Sequence, residues 1–163
     1  MSPWLKLLLA VGAFEGVQSL RRFSERKRVF ALAKAHAASL RRPLLVIGDP
    51  DTGAHTMWLR AYDCGDVCLD MTGCPKCARG LAVTLGEQPI PLPTGSHVVF
   101  ISCVMELVDR LNPAWQEVLR VSGGEANIFM TPIGTFSLTS FFYPGVRWRI
   151  AQDGDQFTAR RLK

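Results

Sequence analysis

Apolar residues along this chain gather in short unbroken runs separated by polar turns. Residues 44–47 (LLVI) and 97–103 (HVVFISC) are too short for helices and have the length of strands covered on both faces. Residues 66–70 (DVCLD) and 126–131 (ANIFMT) read as two further strands. Between them, helices are predicted over 54–62 and over 74–85, the second opened by Pro75, which a first helical turn tolerates. Residues 106–111 make a helical turn or loop, and 113–121 (PAWQEVLRV) an amphipathic helix closed by Gly123 and Gly124. Residues 88–96 hold three prolines and form a loop. Strands and helices in alternation predict an α/β fold with a mostly parallel sheet and helices on both faces. Residues 146–150 and 156–160 predict a hairpin around Asp153-Gly154. The aromatic run 136–143 (FSLTSFFY) reads as core or as a partner interface.

The N-terminal pattern is different. Residues 3–20 are apolar except for Lys6, Glu15, Gln18 and Ser19, whose positions scatter around a helical wheel. As a helix this stretch spans about 27 Å, close to the roughly 30 Å of a bilayer core. Arg21, Arg22, Arg26, Lys27 and Arg28 follow at once, an order that holds the following domain on the cytoplasmic or an equivalent reducing side. The expectation is a single-pass membrane anchor, with the lipid membrane as a partner. A cleaved signal peptide fits poorly, because the charge follows the apolar run. Residues 23–40 are rich in Ala, Arg and Lys and continue as helix until Arg42, which the proline at 43 pushes out of the α region. The expected organisation is an arm, residues 1–42, and a domain, residues 43–163.

Charge supports that division. Of 19 basic and 14 acidic residues, nine basic and two acidic lie up to Arg42, leaving ten basic and twelve acidic in the domain. Phosphate binding needs a basic surface on the fold itself, so no nucleic acid is expected. With 163 residues and 48% hydrophobic content, the chain can bury one core.

The first strand ends in Gly48-Asp49-Pro50-Asp51-Thr52-Gly53, turn and helix-start chemistry. Asp70 closes the second strand, where nucleotide-binding sheets hydrogen-bond a ribose. The run from Leu92 to Gly124, LPTGSHVVFISCVMELVDRLNPAWQEVLRVSGG, resembles the strand-four region of class I S-adenosylmethionine-dependent methyltransferases. LLVIGDPDTG then aligns with that family's Gly-rich first motif, and DVCLDMT with its second strand. The resemblance implies a Rossmann-like fold of the methyltransferase type, truncated, with the cofactor held by Gly48, Asp49, Asp51, Gly53, Asp70, Ser102 and Cys103.

Several positions depart from the family pattern. Val46 stands at the usual acid of the first motif, Pro50 at its middle glycine, and Gly53 comes one residue late. His97 replaces the acid that opens strand four, and Leu107 a frequent histidine. Proline at position 50 removes an N–H donor and bars close backbone approach. These departures imply a catalytically inactive domain without cofactor or catalytic residue, serving as a structural or interaction module at a membrane or with a protein assembly partner. The alternative is an active S-adenosylmethionine-dependent methyltransferase. Glu106 resembles the family's glutamate near the crevice, either a general base or a packing residue.

Cys64, Cys68, Cys74 and Cys77 are spaced C-x3-C-x5-C-x2-C. They read as free thiols of a reducing compartment, because zinc sites usually pair two short knuckles and Cys68 falls within a strand. Zinc is the alternative. Disulfides are disfavoured by the fifth cysteine, Cys103, in a core strand. Neither His55 nor His97 has a thiol placed beside it by local spacing.

Overall fold

The computed structural model describes residues 2–51, 60–133, 145–153 and 156–162. The expected helix over 54–62 (which carries His55), Gly53, the aromatic run 136–143 and Gly154 fall wholly or largely outside these residues.

The chain begins with one continuous helix, α1 (Pro3–Leu40). Ser2 caps it, its Oγ accepting from the Leu5 N–H at 3.3 Å, and Pro3 occupies the first turn, where a missing N–H costs nothing. It ends at Arg41 in the left-handed conformation (φ 52°), with the Arg42 N–H reaching back to Ala37 O at 3.0 Å. Five strands follow: β1 (Leu44–Ile47), β2 (Val67–Asp70), β3 (Gly80–Ala82), β4 (Val98–Ser102) and β5 (Ile128–Thr131). They pair in the order β3-β2-β1-β4-β5, all parallel, so the fold is α/β with an N-terminal helix. The second sheet is the antiparallel pair β6 (Trp148–Asp153) and β7 (Gln156–Arg161), the expected hairpin.

Strand alternation sorts the core into two layers. Leu44, Val46, Val98 and Phe100 face the second half of α1, where Val29, Phe30, Ala33 and Ala37 are buried. The small side chains of Ala33 and Ala37, one turn apart, let the helix approach the sheet closely, and Phe30 meets Phe100 edge-on at 5.2 Å. Leu45, Ile47, Val99 and Ile101 face the other way, against Ala114, Val118 and Val121 of α2 (Leu111–Ser122). Thus α1 is not an arm throughout: its second half is part of the core. Glu117 and Arg120 of α2 hold the proline loop, Arg120 donating to Leu92 O and Ile90 O at 2.8 Å each. The hairpin docks through Ile150 and through Trp148, whose Nε1 donates to Val108 O at 2.8 Å.

The region expected as a helix over 74–85 is not one. Residues 71–79 are turns, and the chain then enters β3, pairing Cys68 with Gly80 across the ladder. Pro75 sits inside a tight turn in which the Cys77 N–H donates to Cys74 O at 3.0 Å. The turn brings the cysteines together, and the structure pairs Cys64 with Cys77 and Cys68 with Cys74. The reading as free thiols is therefore corrected. Cys68 does lie within a strand, and the crossover folds back over that strand to bring Cys74 to it.

Candidate functional site at the carboxyl ends of the strands

The strand order places the ends of β2, β1 and β4 side by side, and with them most of the residues named from sequence. In open parallel sheets this edge, where the order reverses between β1 and β4, is where ligands bind. Gly48 leaves β1 with φ 107°, donating its N–H to Leu69 O at 2.8 Å. Only glycine fits there: a Cβ would lie 2.8 Å from Ser102 O and 3.0 Å from Val104 Cγ2. Asp49 is buried, and one of its carboxylate oxygens accepts from the Asp51 N–H at 2.9 Å, a local turn that proline at position 50 favours.

Asp70 spends its carboxylate on its own neighbourhood. Oδ1 accepts from the Thr72 N–H at 3.1 Å and the Thr72 hydroxyl at 3.0 Å, and Oδ2 from the Asp49 N–H at 3.2 Å. Asp51 points elsewhere, into a bidentate pair with Arg60, which holds its carboxyl below the usual range. Lys76 lies 4.0 Å from the same carboxylate.

At the β4 end, Ser102 is buried beside Tyr62. Burial pushes the Tyr62 hydroxyl up, and Ser102 partly opposes this. Cys103 takes a left-handed backbone (φ 56°), uncommon for a side chain with Cβ, and its N–H donates to Thr131 O at 3.0 Å. Arg26 of α1 donates to its Sγ at 3.0 Å. Burial raises the thiol's pKa, while the Arg26 charge pulls it down. Arg26 is thus turned onto the domain rather than left in the basic cluster where its sequence position had placed it.

Glu106 follows β4 and is buried. One carboxylate oxygen accepts from the Ile133 N–H, and the other has no hydrogen-bond partner among the described residues. Burial pushes this carboxyl up, more than the Ile133 N–H and Arg26 pull it down. His97 Nδ1 meets Ser96 Oγ at 2.7 Å, and burial lowers the ring's pKa.

Gly48, Asp49, Asp70, Ser102 and Cys103 therefore share one edge. Asp51 lies beside it in the Arg60 pair. The sequence reading missed Tyr62, Val104, Arg26 and Thr72. Thr72 had a local signal, since a hydroxyl two residues after an aspartate favours an Asp-capped turn. Arg26, 77 positions from Cys103, had none.

A concavity of about 780 Å³ lies along β5 between the two helices and the hairpin, lined by Val29, Leu32, Trp115, Phe129, Ile150 and Phe157.

No family model, curated protein or solved structure matches this chain.

Proposed function

We propose that this chain is a non-catalytic, Rossmann-like module of the methyltransferase type, held at a lipid membrane by the first half of α1. One observation carries the non-catalytic reading. The acid that would take a ribose, Asp70, already accepts three hydrogen bonds from Thr72 and Asp49. Two others agree with it: Pro50 has no N–H to offer, and the space beside Gly48 Cα is occupied by Ser102 O, Val104 and Tyr62. These residues do not fit S-adenosylmethionine. Calorimetry on the full chain tests this, with no affinity tighter than roughly millimolar expected, about −4 kcal/mol.

The membrane part rests on exposure. Trp4, Leu5, Leu7, Leu8, Leu9, Phe14, Val17 and Leu20 are all at least 45% exposed. At 100° per residue they point in every direction around the helix. A protein partner docks on one face, whereas lipid can cover all of them. No helix among the described residues is long and apolar enough to cross a membrane, so the proposal is insertion of the helix end, with Arg21 and Lys27 near the headgroups. Flotation with vesicles containing anionic phospholipid should carry the full chain upward. The double variant Leu5→Glu, Leu8→Glu should stay at the bottom; equal flotation of both would refute the insertion.

A specific observation favours a second reading, an active methyltransferase. Asp70 stands at the end of β2 beside the end of β1, next to the point where the strand order reverses. Micromolar S-adenosylmethionine binding that disappears in Asp70→Ala would establish that reading over the first.

A further inference from the structure

We propose that Cys64, Cys68, Cys74 and Cys77, once reduced, form a tetrathiolate site that binds one structural zinc ion. The sulfurs of Cys68, Cys74 and Cys77 all lie within 4.8 Å of one another, and that of Cys64 is bonded to that of Cys77. Cys77 thus brings the two bridges together, its sulfur lying within 4.8 Å of those of Cys68 and Cys74. With Zn–S bonds of about 2.3 Å, a tetrahedral site sets its sulfurs roughly 3.8 Å apart. Breaking the two S–S bonds frees the four side chains to rotate toward that spacing, with Cys64 having the furthest to move because its sulfur lies outside the group of three.

The surrounding backbone is built for close approach. Cys74-Pro75-Lys76-Cys77 closes on itself through the Cys77 N–H to Cys74 O bond. Gly65 and Gly73 take left-handed conformations (φ 59° and 78°) on either side of β2. A Cβ at Gly80 would lie 2.7 Å from Cys74 O, so glycine there lets the turn lie against β3. Cys68 and Cys74 are buried, while Cys64 and Cys77 are half-buried, which leaves an approach for the ion. Lys76 and Arg79 stand in the same turn and offset the double negative charge of a zinc tetrathiolate. A set of four sulfurs selects a soft or borderline ion over magnesium or calcium.

The topology gives the site a purpose. Parallel strands need a crossover, usually a helix of a dozen residues or more. Here residues 71–79 join β2 to β3 without one, and the cysteines clamp that short connection. Two equivalents of a phosphine reductant and two waters convert two disulfides into four thiols and two phosphine oxides. Zinc then replaces the four thiol protons.

The full chain, purified with a phosphine reductant and zinc, should contain one zinc per chain by elemental analysis. Of its five cysteines, at most Cys103 should then react with an alkylating reagent, and all five after chelation. Cobalt in place of zinc should give tetrahedral absorption bands with strong sulfur-to-cobalt charge transfer. Cys77→Ser should lose most of its zinc, and Cys103→Ser should keep it; the second variant leaves the clamp untouched and guards against a general folding defect. A reduced, folded chain with five reactive thiols and no zinc would overturn the proposal. So would a chain whose two disulfides resist the reductant, or cobalt spectra of octahedral type.

Discussion

The sheet has two wings about β1, and they are stabilised in different ways. On the β4–β5 side every residue of β4 is buried, α1 covers one face and α2 the other. On the β2–β3 side, β3 has three residues, two of them exposed, and the connection into it carries no helix. What the first wing gains from apolar burial, the second gains from sulfur chemistry. A short strand with little side-chain cover cannot offset the entropy of ordering its own crossover, so a cross-link or a bound ion is the physical substitute.

The largest effect expected from this contrast is in the first wing. Phe100→Ala removes a fully buried ring that meets Phe30 and Tyr62 at 5.2 and 5.1 Å. Urea unfolding should show a loss of about 3–5 kcal/mol. Leu81→Ala in β3, half-buried and at the edge, should cost no more than about 1–2 kcal/mol. Equal losses would erase the distinction between the wings.

A glycine pair sharpens it. Gly80→Ala drives a Cβ toward Cys74 O at 2.7 Å and should destabilise by about 1–3 kcal/mol, an overpacking cost. Gly16→Ala, in α1 with nothing within 4 Å of the new Cβ, should stabilise the helix by about 0.5–1 kcal/mol. Thermal melts of the two variants should therefore move in opposite directions. A Gly80→Ala protein that melts like the wild type would show that the turn is not pressed against β3.

The first wing was legible in the sequence, and of the second only β2 was, for the same reason. LLVI and VVFIS are unbroken apolar runs, and burial on both faces writes itself as such a run. β3 is Gly-Leu-Ala, with no apolar run and no alternation longer than three residues. Its strand state comes from pairing with β2, a tertiary effect that overrode the helix signal of Pro75 and the residues after it. The cysteine cluster was visible as spacing, yet its closure depends on the crossover that was misread. At the candidate site, the residues on strand ends were legible because strand order follows from β/α alternation. Tyr62 and Arg26 were not, because they reach that edge from other elements.

The smallest effect expected lies between the wings and the site, at Glu106. Burial lifts this carboxyl above its ordinary value of 4.5, so the folded chain holds the proton more tightly than the unfolded chain does. The linked stability is complete below the unfolded value and falls as pH rises toward the raised folded value; above that it is constant. Glu106→Gln keeps an oxygen for the Ile133 N–H and cannot ionise. Near pH 4 the two proteins should agree within about 0.5 kcal/mol, a usual limit for a change that alters no contact. At pH 8 the variant should be the more stable, by on the order of 1 kcal/mol, since it no longer buries a charge with one oxygen unpartnered. His97, whose pKa burial lowers, makes both proteins less stable below the ordinary histidine range and cancels in the difference. Paired urea titrations across pH 4 to 8 measure that difference. A difference that stays flat, or that grows toward acid, would mean that Glu106 is charged in the fold, held by Arg26 more strongly than burial opposes it.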